Sequence, residues 1–340
     1  MNRWIFLGLA GFLGLLLLVL FLPIPHPAFR HPTPSAPASY DRTVADIQAE
    51  IAATPELISA EGRIILLEQG RPTRRVFVLM HGLSNCPEQF AMLGQLLYER
   101  GNNVLIPRLP GHGEKNLMSE NFAKLTAAEM LASCNQAVDL ARGLGGEVVF
   151  VGLSINGTAA AWMAQNRADL HRSVLLSPFL APAMLPGWLA GPTEHLLLRL
   201  PNFFIWWNSE LKQANPGPTY AYPRFPTRLI GETMLLGRDV LRESLGSTPR
   251  CPSILVVTSA SDRAANGDVT AALVENWEKH HPKDLQTYIF PASEKVLHDF
   301  VDPHQPDQRI DFVYPLLLKL LTEENEKKKG GGTRPTHPVA

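Results

Sequence analysis

Apolar positions fall into three regimes along the chain. From Trp4 to Leu22 every residue is uncharged and most are Leu, Phe or Gly, with no polar face. That length is close to the ~20 residues that cross a bilayer as a helix. From Ile64 onward, short β-branched runs alternate with longer segments whose apolar positions recur every three to four residues. Beyond Glu323 a lysine run, three consecutive glycines and two prolines leave too little apolar surface to offset the entropy of ordering, so 323–340 is expected to be disordered.

In the middle regime Ile64–Leu67, Val76–Met80, Val104–Ile106, Val148–Val151, Val174–Leu176, Ile254–Val257 and Thr287–Phe290 read as strands. Continuous apolar runs of this kind suit a mostly parallel sheet covered on both faces. Between them lie amphipathic helices with start signals. Thr126 stands three residues before Glu129, and Asn85 three before Glu88, in the spacing of a capping box. Ala127, Leu131, Cys134, Val138 and Ala141 form one apolar stripe, and Ile310, Val313, Leu317, Leu320 and Leu321 another. The rhythm is that of an α/β fold built on βαβ units. It breaks between about Ala181 and Arg250, where prolines and aromatics crowd together and no strand recurs, so a helical cap inserted over the sheet is expected there.

The layout expected is therefore an anchor over 1–22, a proline-rich linker and lead-in over 23–61, and one catalytic domain over 62–322. The first segment exceeds the usual signal-peptide core and no A-x-A-like cleavage site follows, which predicts an uncleaved membrane anchor with an extracytoplasmic domain. Secretion after signal cleavage is the alternative. With 31 basic and 32 acidic side chains the net charge is -1, which gives no reason to expect a nucleic-acid partner. Cys86, Cys134 and Cys251 have neither C-x-x-C nor zinc-ligand spacing, and Cys134 lies on an apolar stripe as a packing thiol would.

After the strand Val148–Val151 comes Gly152-Leu153-Ser154-Ile155-Asn156-Gly157, opening a helix. A serine at a sharp strand-to-helix turn projects its hydroxyl only if its neighbours are small. Gly152 and Gly157 fit; Asn156 stands where the G-x-S-x-G pattern expects glycine. A nucleophilic hydroxyl also needs a base and donors for the oxyanion. Strand Val76–Met80 runs into His81-Gly82-Leu83, where Gly82 lets the Leu83 amide turn toward an oxyanion; the Ile155 amide supplies a second donor. Asp262 follows one strand and His298 another, so serine, acid and histidine occur in that order, each past a strand end. His298 would move the Ser154 proton and Asp262 would fix the imidazole tautomer; no metal or cofactor is required. His304 competes for the base, and Asp268 and Asp299 for the acid. His81 and His112 are expected to stabilise loops rather than transfer protons.

With His81-Gly82, Pro110-Gly111-His112-Gly113, the elbow at Ser154, Asp262 and His298, the chain resembles the α/β-hydrolase superfamily from about Gly62 to Leu321. The resemblance is strongest to carboxylesterases and monoacylglycerol-lipase-like members. It implies hydrolysis of acyl esters or lipid esters, with the cap shaping an acyl pocket. Phe203, Phe204, Trp206 and Trp207 are the candidate substrate-lining aromatics there, against ordinary cap packing or contact with a membrane interface. Acyl transfer or amide cleavage by the same residues, or a silent lipid- or partner-binding domain, are the alternatives.

Overall fold

The computed structural model describes residues 3–22, 24, 29, 33–35, 37–207 and 217–322, so the expected disordered tail and much of the proline-rich linker lie outside the described residues. Seven of the strands form one sheet. They are β1 (Ile65–Leu67), β2 (Thr73–Met80), β3 (Asn103–Ile106), β4 (Gly145–Leu153), β5 (Arg172–Leu176), β8 (Ser253–Ser259) and β9 (Asp284–Phe290), ordered β1-β3-β2-β4-β5-β8-β9. Each expected run falls in one of them, save that β1 begins one residue after Ile64. Only β1 runs antiparallel to its neighbour, and the other pairings are parallel, with Val76 opposite Val148 and Val151 opposite Val174.

Side chains of β2 alternate between two cores, as the two-residue period of a strand demands. Val76, Val78 and Met80 point into one layer, Phe77 and Leu79 into the other. The first layer is closed by α2 (Tyr40–Ala52), α4 (Ala127–Leu144), α5 (Ile155–Asn166), α7 (Thr227–Ser244) and α8 (Gly267–Lys279), and the second by α3 (Ala91–Tyr98) and α9 (Ile310–Thr322). All five of those β2 residues are fully buried, each worth about 2 kcal/mol of apolar transfer. The Thr126–Glu129 capping box forms as the spacing predicts, fixing where α4 starts. Asn85 does not cap a helix. Pro87–Phe90 is a short 3-10 turn, and the Asn85 amide is drawn instead toward Asp299 and Asp302.

Two expectations are corrected in the cap. Within 181–250 a small antiparallel sheet does recur, pairing β6 (Phe204–Trp206) with β7 (Arg224–Pro226) after helix α6 (Ala190–Arg199). And α7 belongs to the body of the domain, because it packs on α5 and α4 with Leu229, Met234, Leu236 and Val240 buried in the first core layer. In the lead-in, α2 buries Ile47 and lies so close to α4 that a Cβ on Gly143 would fall 2.0 Å from Thr43 Oγ1.

The N-terminal segment is a helix, α1 (Arg3–Phe21), and the apolar side chains of residues 4–18 are exposed, Trp4 by 79% and Phe12 by 66%. Among the described residues no helix is long and apolar enough to cross a membrane, which corrects the expected spanning anchor. The helix packs beside α6, whose Arg199 donates to the Leu22 carbonyl at 2.8 Å.

Candidate active site

Strand β4 hands the chain to α5 through Ser154, held at φ 59 and ψ -114. That backbone region strains any residue with a Cβ and is held only where the surroundings over-determine it. Here the Ser154 amide donates to Leu176 O at 2.9 Å. The neighbours must be small. A Cβ on Gly152 would lie 1.9 Å from the Asn156 carbonyl oxygen, and one on Gly157 2.8 Å from Pro178 Cα.

The loop after β2 faces this turn and is gripped from several directions. The Gly82 amide donates to Gln89 Oε1 at 2.7 Å. The Leu109 amide donates to His81 Nε2 at 3.2 Å, so the His81 proton sits on Nδ1 and is given to the Gly82 carbonyl at 2.9 Å. Because a trans peptide sets C=O and N–H on opposite sides, fixing the Gly82 carbonyl also fixes the direction of the Leu83 amide. His112 bridges two carbonyls, with Nε2 2.8 Å from Leu83 O and Nδ1 3.0 Å from Pro110 O. Burial, aided by the charge of His112, lowers the pKa of His81 to about 3, and burial likewise lowers that of His112. Among the described residues neither the Leu83 amide nor the Ile155 amide has a hydrogen-bond partner.

Asp262 follows β8 and is nearly buried, its side chain 6% exposed. Its Oδ1 accepts the amides of Ala264 and Ala265 at 2.8 and 3.0 Å, and its Oδ2 meets His298 Nδ1 at 2.7 Å. Burial by itself would raise this carboxyl; the His298 hydrogen bond and charge and the two amides outweigh it and hold the pKa below the usual range. The competing residues are engaged otherwise. His304 turns to Tyr220 and Asp302, Asp268 sits in the first turn of α8, and Asp299 accepts from Gln89 and Gln305, each at 2.8 Å. No hydrogen bond among the described residues joins Ser154 to His298, though both line one cavity; such contacts commonly tighten only when substrate binds.

That cavity encloses about 310 Å³ and is walled by Leu83, Leu153, Trp207 and Tyr222 around Ser154 and His298. Of the four aromatics expected to line it, only Trp207 does so. Phe204 packs edge-on against Phe122 and beneath Arg224, while Phe203 is 50% exposed, and Trp206 pairs within the small sheet. Arg224 makes an ion pair with Glu120 at 3.3 Å, a surface role. Sequence reasoning missed Gln89, Tyr222 and Gln305 on the cavity wall, where Asp299, weighed only as a rival acid, also lies. The turn signal at Tyr222-Pro223 was the only local cue; Tyr222 stacks on Phe122 at 4.3 Å and its amide donates to Ser84 O at 2.7 Å. Cys86, Cys134 and Cys251 are free and buried.

Comparison with known proteins agrees with this architecture. Residues 77–307 match the model of the alpha/beta hydrolase family. A thermostable monoacylglycerol lipase of Bacillus sp. (strain H-257) is 25% identical over 206 residues, 59% of this chain and 77% of that protein. Among solved structures, the monoacylglycerol lipase of Paleococcus ferrophilus superposes with a TM-score of 0.58 at 17% identity, covering 76% of this chain and 97% of its own. One from work on the metagenome-derived lipolytic enzymes LipS and LipT gives 0.57 at 16% identity, covering 78% and 98%. With the family model matching residues 77–307, well over half of the chain, and a mostly parallel sheet between helical layers, this chain belongs to the alpha/beta hydrolase family.

Proposed function

We propose that this protein is a serine hydrolase of the carboxylesterase or lipase type, cleaving acyl esters through an acyl-Ser154 intermediate. One observation carries the reading. His298, bound to Asp262 at 2.7 Å through Nδ1, shares a cavity with a serine held at a strained strand-to-helix turn.

In this reading His298 Nε2 takes the Ser154 proton as Oγ attacks the ester carbonyl. The amides of Leu83 and Ile155, without other partners among the described residues, receive the oxyanion; losing one such donor typically costs 10²- to 10³-fold in kcat. His298 then protonates the leaving alcohol, and a water activated by the same ring releases the acid. Asp262 keeps the proton of His298 on Nδ1 and balances the imidazolium. The walls offered by Leu153, Trp207 and Tyr222 suit an acyl chain, and relatives named as monoacylglycerol lipase and lipolytic enzymes favour lipid esters as the substrate class.

The test is intact mass of the full chain before and after a fluorophosphonate, alongside p-nitrophenyl esters of graded chain length. One adduct on Ser154, absent from Ser154→Ala together with ester turnover, is the expected result. A folded parent that takes up no adduct and turns over no ester overturns the reading.

A further inference from the structure

Two residues past Ser154, in the first turn of α5, the elbow carries Asn156 where its pattern expects glycine. The side chain is fully buried and both ends of its carboxamide are engaged. Nδ2 donates to the His81 carbonyl at 2.5 Å, and Oδ1 accepts the Cys134 thiol at 3.3 Å. The two partners fix which way the amide faces. Flipped, it would set Oδ1 against the His81 carbonyl oxygen and its NH₂ against the thiol hydrogen.

We propose that Asn156 is a positioning residue for the oxyanion site, a side-chain tie that sets the separation between its two donor amides. Asn156 follows Ile155 directly, and His81 lies two residues before Leu83, so the Asn156–His81 hydrogen bond joins the segments carrying both amides. The Ile155 amide is fixed by the rigid start of α5. The Leu83 amide is carried by a loop that His81, Gln89 and His112 hold from its own side. The tie between the two is the Asn156 amide, oriented from α4 by Cys134. A glycine at 156 has no side chain to make this link, and would leave the buried His81 carbonyl without this donor. Asn156 does not line the cavity, so it acts through the loop and not on substrate.

The inference rests on the serine-hydrolase reading, and its test separates the two. Asn156→Ala keeps the Cβ and helix preference while removing the carboxamide; Asn156→Gly serves as a second variant if the first folds poorly. For the full-length protein we expect kcat to fall about 10- to 100-fold with KM within about twofold. Affinity for a trifluoromethyl ketone, which forms an oxyanion on Ser154, should fall in the same proportion, while affinity for the product carboxylate stays put. Parental kcat and ketone affinity in a folded variant would reduce Asn156 to packing, as would a loss that spares ketone affinity. Absence of fluorophosphonate labelling in the parent would sink the underlying reading instead.

Discussion

Gln89 and Asp299 are hydrogen-bonded at 2.8 Å, although 210 residues separate them. With its other end Gln89 accepts the Gly82 amide at 2.7 Å, so one carboxamide joins the loop after β2 to the residue next to His298. Gln89→Leu, close in volume but without polar atoms, leaves the buried Gly82 N–H unpaired. A loss of about 2 kcal/mol in urea-denaturation stability is expected, with a fall in kcat for ester hydrolysis larger than any change in KM. Unchanged stability would mean that water or a rearranged loop supplies the missing acceptor.

Asp299 makes stability depend on pH. Burial, and then the neighbouring Asp302, push its carboxyl up to about 6. In that state the folded chain holds a proton that the unfolded chain, titrating near 4, has released. The contribution is therefore complete below about pH 4 and lost as pH rises through about 6. Asp299→Asn removes the penalty of ionisation. Its stability relative to the parent should rise across that window and level off above it, by at most about 3 kcal/mol. Thermal midpoints of both proteins from pH 4 to 8 measure this directly, and parallel curves would contradict it.

For Asp262, the amides of Ala264 and Ala265 would hold an asparagine oxygen much as they hold the carboxylate. The second atom facing His298 then becomes an NH₂, which presents a donor where Nδ1–H needs an acceptor. Asp262→Asn should thus keep the fold and lower kcat/KM about 10³-fold or more, with fluorophosphonate labelling slowed in step. Near-parental turnover would assign the acid role to another carboxylate.

Glycines around Ser154 are not equivalent. A Cβ at Gly152 meets the Asn156 backbone oxygen at 1.9 Å, whereas at Gly82 the nearest atom is Ser154 Cβ at 3.6 Å. Gly152→Ala is expected to cost more than 3 kcal/mol or to prevent folding, and Gly82→Ala to fold normally. Circular dichroism melts of the two variants decide the point, and a normal melt for Gly152→Ala would show that the elbow can relax.

The sequence displays the sheet because its central strands are buried on both faces and so read as unbroken apolar runs, as Val76–Met80 does. Ser154, Asp262 and His298 stand out because each follows such a run, and the structure brings the last two within 2.7 Å. What the sequence hides are contacts made by polar side chains across long separations. Nothing near Gln89 or Asn85 announces that they reach Asp299, since an amide in a loop has many local uses. Strands β6 and β7 are three residues each and β7 ends in Pro226, too short for a two-residue period to register. The apolar pattern of α7 is plain, but its partner is not; only the fold shows that it packs against α5 and α6.

The backbone at Ser154, with φ 59 and ψ -114, is a conformation that glycine adopts without penalty. The domain is therefore folded against the preference of the residue on which its proposed chemistry depends. Replacing Ser154 by glycine should give a protein that melts at a higher temperature than the parent, in contrast to Ser154→Ala, which keeps the strain. Reactivity and thermal endurance pull in opposite directions at this one position, and a variant selected only for heat resistance would drift toward an inert chain.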